Sequence, residues 1–243
     1  MIVAKEVILN LAILLPPVRA LARRRHSTGM NNDERLVQYT YGRLREHVDP
    51  FGKDVLELGP GQTPRLLQLA MQDGAKSATG LDVENYVSER WPAEVRASVY
   101  DGRRMPFDDN SFDVIWSNSC LEHVRHPALT VAEFARVLRP GGSMISSIDL
   151  RDHYHKDPAL HAEHLRYPSW LWSAMTWNRS AYTNRLRWTD WERLLNCGPL
   201  RLRICEAEPS EVLRSVYTTH PARRRYTESE FVTVGLYVVA DRV

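Results

Sequence analysis

Cysteine is scarce in this chain, which has 3 cysteines among its 243 residues. Cys120, Cys197 and Cys205 are scattered, and no CxxC pair or other zinc-ligand spacing occurs. These absences exclude a disulfide framework and a zinc site built from spaced cysteines. We therefore expect a protein of a reducing, cytoplasmic compartment.

An excess of charge of one sign is also lacking. The formal net charge is +2, and 26% of the residues are charged. A nucleic-acid partner would favour a basic excess or a basic stripe interleaved with aromatic residues, and neither is present. We expect no nucleic-acid partner, and the length suits one globular domain with an appendage.

Long hydrophobic runs are missing as well. The N-terminal apolar stretch runs from Val7 to Leu15 and is interrupted by Asn10, whereas a membrane-spanning helix needs about 20 apolar residues. The basic residues follow this stretch, and no small-residue cleavage site is evident. We therefore expect no signal peptide.

Residues 1–30 are expected to form an apolar and basic helical appendage, and residues 31–243 the main domain. Two interpretations of the appendage are open. In the first, it packs as a helix on the domain or on the second subunit of a homodimer. In the second, residues 2–25 bind the inner face of a membrane, with these basic residues at the lipid headgroups: Arg19, Arg23, Arg24 and Arg25.

Strand-like apolar segments alternate with amphipathic helical segments along the chain. Five strands are predicted: Asp54–Leu58, SATGLD ending at Asp82, VRASVYD ending at Asp101, Phe112–Ser117 and SMISSIDL. This alternation predicts an α/β fold with a Rossmann-like, mostly parallel sheet and helices on both faces.

The alternation stops between residues 150 and 187. This segment is rich in His, Tyr, Trp and Arg and has little apolar periodicity. It follows the fifth strand and therefore lies over the carboxyl ends of the strands, where ligands bind in such sheets. We interpret it as a substrate lid. Thr189 and Glu192 then have the spacing of a capping box, and two strands follow near Leu200–Cys205 and Phe231–Ala240.

A glycine-containing turn follows the first strand. In DVLELGPGQT, Gly59 and Gly61 let the backbone turn tightly and come close to a ligand. Thr63 stands at the third glycine of the GxGxxG dinucleotide pattern, and no Gly-Lys-Ser/Thr follows. Neither a dinucleotide nor a phosphate cradle is therefore supported.

Acidic residues accompany the ends of the first three strands. Asp82 comes about 20 residues after the glycines, which is the spacing of a carboxylate that holds ribose hydroxyls; a solvated aspartate is the alternative. Asp101 can accept a hydrogen bond from an adenine amino group, while the N–H of Gly102 meets a ring nitrogen. Glu57 adds negative charge near the turn, which suits a cationic ligand better than a pyrophosphate.

Four segments in this order resemble the class I S-adenosylmethionine (SAM)-dependent methyltransferases: VLELGPGQT, GLDVE, YDGRRMPFDDNSFDVIWSNSCLEHV and FARVLRPGGSMISS. The small-molecule group called type 11 is the nearest variety, and the resemblance spans residues 54–149. It implies a seven-stranded sheet whose last strand is antiparallel, with SAM as the cofactor.

The resemblance also implies roles for single residues. It places Glu57, Gly59 and Gly61 at the methionine end of SAM, Asp82 at the ribose, Asp101 and Gly102 at the adenine, and Ser117 and Asn118 beside the transferring methyl group.

Two histidines follow the fourth and fifth strands. Methyl transfer needs an aligned nucleophile, and a hydroxyl nucleophile also needs a base, for which histidine suits neutral pH. His123 and His153 are the candidates, although His123 has the alternative role of shaping the pocket. No HExxH spacing occurs, and the aspartate cluster of metal-dependent O-methyltransferases is not recognisable, so no metal is expected.

The lid carries three candidate substrate-binding residues, Tyr154, Arg185 and Arg187. A segment of aromatic, His and Arg side chains suits a polar ring. We expect methyl transfer to a hydroxyl of a small molecule, with a sugar or glycoconjugate intermediate as the first choice. Two alternatives are open: a C- or N-methyltransferase acting on a lipid-like or natural-product substrate, and a non-catalytic scaffold with this fold.

Overall fold

The computed structural model describes residues 2–25, 33–84, 91–179 and 182–243, with the backbone alone for residues 2, 20 and 22–25. The strands are β1 (Asp54–Leu58), β2 (Ser77–Asp82), β3 (Val95–Val99), β4 (Phe112–Asn118), β5 (Leu138–Asp149), β6 (Leu200–Pro209) and β7 (Thr233–Arg242). The α-helices are α1 (Ile2–Ala12), α2 (Pro16–Arg25), α3 (Glu34–Arg45), α4 (Arg65–Gln72), α5 (Pro127–Val137), α6 (Ser169–Thr176), α7 (Trp188–Leu195), α8 (Glu211–Tyr217) and α9 (Glu228–Val232).

The strands form one seven-stranded sheet in the order β3-β2-β1-β4-β5-β7-β6. Strands β1 to β5 are parallel, and β7 is antiparallel to both β5 and β6. The predicted mostly parallel sheet with an antiparallel last strand is confirmed. The chain turns back to the other side of β1 when it enters β4, so the loops that leave these two strands diverge and open a crevice at their carboxyl ends.

Helices cover both faces of the sheet. All five residues of β1 are buried, as expected for a parallel strand that is covered twice. On one face, Tyr41 of α3 and Leu67 of α4 belong to a cluster that includes Trp116. On the other face, Phe134 of α5 and Trp191 of α7 lie in a second cluster. The strand ends therefore project from a rigid, close-packed layer.

The described residues between 150 and 187 fold around a buried tryptophan. Trp172 of α6 is 3% exposed, and its indole N–H donates to the carbonyl of Thr183 at 2.8 Å. The rings of Tyr154, His164 and Tyr167 surround it, with centroids about 6 Å away. Within the part of this segment that the structure describes, only Arg151 lines the cavity at the carboxyl ends of β4 and β5, and the role of the segment as a substrate lid stays a prediction.

Arg187 ties this segment to the sheet. Its side chain is buried, and the guanidinium donates to the main-chain carbonyls of Leu150, Glu230 and Thr233. The direct substrate contact predicted for Arg187 does not fit this position, because protein atoms enclose the guanidinium.

Helix α7 begins differently from the predicted capping box. The Arg187 N–H donates to the carboxylate of Asp190 at 3.0 Å, and the helix starts at Trp188. The Thr189 hydroxyl instead donates to Glu230 at 2.6 Å. The Thr189 side chain, which the local pattern assigned to the cap, therefore binds a residue that is distant in the sequence.

Helix α1 packs on α6 with Glu6 and Asn10 inward. Asn10 is buried, donates to the carbonyl of Ala174 at 2.9 Å and accepts from the N–H of Asn178 at 2.7 Å. Glu6 is also buried and forms an ion pair with Arg179. Lys5 is exposed. Apolar side chains of α1 and of the turn after it are exposed as well, with these fractions: Ile8 65%, Leu11 58%, Leu14 61% and Leu15 57%.

This arrangement reverses that of an ordinary surface helix, in which the apolar face is buried. Within the described ranges, no helix has the length and apolar character needed to cross a membrane.

Replacing Arg187 by methionine is expected to lower the free energy of unfolding by about 3 kcal/mol or more, because three buried carbonyls lose donors at about 1–3 kcal/mol each. Urea titration followed by tryptophan fluorescence measures this change. Arg193→Met is the matched control, since Arg193 lies in α7 with its side chain 79% exposed, and it should cost less than about 0.5 kcal/mol. Equal losses in the two variants would contradict the anchoring role.

Candidate active site

The glycine turn after β1 lies against the segment that follows β4. Gly59 and Gly61 have φ values of +75° and +63°, which other residues rarely adopt. A Cβ atom at position 59 would lie 2.3 Å from Sγ of Cys120. The N–H of Gly61 points to Oδ2 of Asp82, with an N···O distance of 3.4 Å. Bare backbone therefore borders the ends of both β2 and β4.

Glu57 places a buried carboxyl group beside this turn. It is 5% exposed, and burial raises its pKa to about 8. The indole of Trp116 approaches, but neither its Nε1 nor Oε2 of Glu57 has a hydrogen bond of good geometry in the described part of the chain. A buried polar group of this kind calls for a partner. The positively charged amino group of SAM is a suitable one, so Glu57 fits the implied cofactor.

Asp82 ends β2, and Asp101 comes two residues after the end of β3, at the same edge of the sheet. Burial raises the pKa of Asp82. Asp101 is exposed, and the N–H groups of Arg103 and Arg104 donate to its Oδ1 and lower its pKa. Gly102 has a φ of +78°. Two carboxylates and a bare backbone therefore stand at the positions that the resemblance assigns to the nucleoside of SAM.

A cavity of about 600 Å³ lies at the carboxyl ends of β4 and β5. Ser117, which is buried, and Asn118 line it from β4. Further lining residues come from α3, β4, the end of β5, β6 and β7: Tyr39, Arg43, Trp116, Asp149, Arg151, Glu206 and Tyr237. The cavity combines apolar walls with charged groups and suits an amphipathic molecule.

His123 and His153 meet at this edge of the sheet. Their ring centroids are 4.9 Å apart, in a T-shaped arrangement. Nδ1 of His123 lies 2.7 Å from the carbonyl oxygen of Tyr182. Because a carbonyl only accepts, Nδ1 carries the proton and Nε2 keeps its lone pair. Burial lowers the pKa of His123 to about 4, so this ring is neutral at neutral pH.

Two carboxyl groups with opposite properties flank the histidines. Oδ2 of Asp149 lies 3.7 Å from Nε2 of His153 and 2.7 Å from Arg151. Burial alone would raise the pKa of Asp149, but the bonds from His153 and Arg151 outweigh it and hold the pKa well below the usual range. Glu122 is 2% exposed, and burial raises its pKa to about 8. An ionised carboxylate and a protonated carboxyl group thus lie on either side of the pair.

The predicted substrate-binding residues lie within the lid. Arg185 has a φ of +60° and donates to the carbonyl of Tyr167 at 2.7 Å. Tyr154 packs edge-on against Trp172. Neither they nor Arg187 are among the residues that line the cavity. Their predicted contact with substrate would require the lid to rearrange.

Sequence reasoning missed Glu122, Asp149 and Arg151. A signal for Asp149 was available, because it ends β5 as Asp82 ends β2. Glu122 adjoins His123, but its burial depends on the short 3₁₀ turn Leu121–His123, which no pattern in the sequence indicates.

Comparisons with known proteins agree with this geometry. Residues 56–146 match the family model described as "Methyltransferase domain". The chain is 31% identical over 163 residues to a "Probable S-adenosylmethionine-dependent methyltransferase" of Mycolicibacterium smegmatis, which covers 63% of this chain and 61% of the relative. It is 34% identical over 110 residues to a phthiotriol/phenolphthiotriol dimycocerosates methyltransferase of Mycobacterium tuberculosis, which covers 42% of this chain and 40% of the relative. The matched segments thus span about half of the length of these curated relatives.

A solved structure shares the fold. A SAM-dependent methyltransferase from Aquifex aeolicus superposes with a TM-score of 0.57 at 15% identity, which covers 88% of this chain and 95% of that chain.

The variant Glu57→Gln is expected to weaken the pH dependence of stability in the ligand-free protein. The folded chain keeps a proton on Glu57 up to about pH 8, whereas the ordinary pKa of a glutamate is 4.5. The free energy of unfolding should therefore fall as the pH rises between these values, because the folded state binds more protons there. The Glu57→Gln variant should lack this part of the fall in the free energy of unfolding, because glutamine does not titrate.

Urea unfolding across that pH range measures the slope. Glu192→Gln, at an exposed position of α7, should keep the wild-type slope. A wild-type slope in Glu57→Gln would show that the carboxyl of Glu57 is not held protonated in the folded chain.

Proposed function

Since this chain belongs to the class I SAM-dependent methyltransferase family, we propose that it transfers a methyl group from SAM to a hydroxyl of a small-molecule acceptor. The observation that carries the proposal is the His123–His153 pair beside Asp149. It lies at the carboxyl ends of β4 and β5, and Asp149, which contacts His153, lines the cavity together with Ser117 and Asn118.

The first three strand ends would hold the cofactor. Glu57 and the backbone of Gly59 and Gly61 would hold its amino-acid end, and Asp82 and Asp101 its ribose and adenine. SAM, when bound, supplies a methyl group that is already activated on a positively charged sulfur. The chain therefore has to position the acceptor, exclude water and accept one proton.

His153 is the better base of the two histidines. The pKa of about 4 makes His123 a weak proton acceptor at neutral pH. His153 lies beside Asp149, whose ionised carboxylate stabilises a positively charged imidazole ring. As the new O–CH₃ bond forms and the S–CH₃ bond breaks, His153 takes the proton of the acceptor's hydroxyl.

The lining of the cavity supports a hydroxylated acceptor with an apolar part. Arg43 and Glu206 pair at 2.6 Å within the lining, and Trp116 and Tyr237 add aromatic surface. Polar groups of this kind orient sugar hydroxyls, and ring faces pack on aromatic side chains. A sugar or glycoconjugate intermediate therefore stays the first choice.

Calorimetric titration with SAM and S-adenosylhomocysteine tests the cofactor, followed by transfer of labelled methyl groups to sugars and phenols. Asp82→Ala should weaken SAM binding at least tenfold, about 1.4 kcal/mol, while Asp108→Ala, an exposed control, should not.

His153→Ala should lower kcat at least about 100-fold with unchanged SAM affinity. A folded wild-type protein that binds no SAM would instead support the scaffold alternative.

The outward face of α1 supports a peripheral contact with a lipid surface. Ile8, Leu11, Leu14 and Leu15 point to solvent, and Trp170 of α6, the helix on which α1 packs, is 72% exposed. Arg19 and the Arg23–Arg25 cluster follow in sequence. Exposed apolar side chains followed in the sequence by basic residues match an anionic membrane surface. We propose that residues 2–25 bring the site to a membrane-embedded acceptor.

The double variant Leu11→Glu/Leu14→Glu should reduce cosedimentation with phosphatidylglycerol vesicles at least tenfold. Leu129→Glu, at an exposed leucine of α5, is the control and should sediment like the wild type. Sedimentation velocity without vesicles is run in parallel. If the double variant changes the oligomeric state and leaves vesicle binding unchanged, the face is a homodimer interface and the membrane proposal is wrong.

A further inference from the structure

Three side chains at the histidine pair offer ligand atoms to a common point. One donor atom each from Glu122, His123 and His153 lies within 4.8 Å of the other two. Two imidazoles and one carboxylate form a donor set that binds divalent transition metals. We propose that these three residues bind one divalent transition-metal cation, whereas no metal was expected from the sequence.

The carboxyl group of Glu122 is the observation that points to a ligand. It is 2% exposed. The backbone N–H groups of Glu122 itself and of Asp149 approach it, but neither of its oxygens has a hydrogen bond of good geometry in the described part of the chain. Such a buried group is costly unless something satisfies it. Oε1 lies 4.0 Å from Nε2 of His123, the nitrogen that keeps its lone pair. A cation between these two atoms would satisfy both.

The surrounding groups orient both histidines as ligands. The Nδ1–H of His123 donates to the carbonyl of Tyr182, which directs Nε2 to the cluster. Nε2 of His153 lies 3.7 Å from Oδ2 of Asp149. A histidine that ligates a metal usually gives its second nitrogen to a carbonyl or a carboxylate. Both partner types are present here.

The backbone that carries two of the ligands is held firmly. Asn184 donates through its N–H to the carbonyl of Glu122 at 2.7 Å and through its side chain to the carbonyl of Leu121 at 2.8 Å. The segment after β4 is thereby tied to the end of the lid. A site built on such supports needs little rearrangement to bind its ion.

Three protein ligands leave coordination positions for an acceptor. The inference rests here on the proposed function, because the acceptor's oxygen would be the fourth ligand. A bound cation lowers the pKa of a coordinated hydroxyl, which then loses its proton to solvent. His153 would thus act as a ligand and no longer as the proton acceptor.

Metal content tests the site separately from activity. The full chain is treated with a chelator, dialysed against Zn²⁺, Mn²⁺ or Co²⁺, and analysed by mass spectrometry of the bound metal. We expect about one equivalent of at least one metal. Glu122→Gln and His153→Ala should each weaken metal binding at least tenfold. With Co²⁺, these two variants should lack the ligand-field absorption bands of the wild type.

His161→Ala, a lid histidine outside the cluster, is the matched control and should bind like the wild type. Circular dichroism checks that each variant is folded, and the exposed position of His153 makes its variant the safer one. No binding by the wild type, or equal binding by all variants, overturns the proposal.

Activity then separates the two proposals. If the chelated protein binds SAM and transfers methyl groups at the wild-type rate, the cation has no part in the reaction and the proposed function stands. If it binds SAM and regains activity only with metal, both are supported. A protein that binds metal but not SAM refutes the proposed function and leaves the metal site in place.

Discussion

The contact between the turn after β1 and Cys120 is the constraint on which the site depends. A side-chain carbon at position 59 would come within 2.3 Å of Sγ, so the turn can lie there only as bare backbone. This proximity joins the ends of β1 and β4 where the strand order reverses. Glu57 is buried near the end of β1. The short turn that carries Glu122 and His123 begins directly after Cys120.

The fold, and with it the position of the strand ends at one edge of the sheet, could be predicted because both follow from short-range patterns. β1 spans the predicted residues Asp54–Leu58, and β2 ends at Asp82 as predicted. A parallel sheet then brings the strand ends to one edge without further information. Boundaries were less accurate where a tertiary contact decides them: Phe231, predicted in the last strand, lies in α9, and β7 begins at Thr233.

The acceptor side could not be predicted in the same way, because its groups depend on which partners the fold brings to them. Arg187 was predicted to bind the substrate, but its guanidinium donates hydrogen bonds to three carbonyls from distant segments. In α1, Glu6 and Asn10 are buried because Arg179 and the backbone of α6 satisfy them. A hydropathy pattern shows which residues share a face, but it does not show which face a polar partner will cover.

The contact between Asn10 and Ala174 joins residues 164 positions apart, and this has a consequence for the order of folding. A chain that is made from its N-terminus exposes α1 long before α6 exists, so this docking forms late and carries a high loop-closure cost. The contacts that satisfy Glu6 and Asn10 are polar, so they add little to an early hydrophobic collapse. The central strands can therefore assemble first, and the apolar side of α1 stays accessible to chaperones or to lipid throughout synthesis.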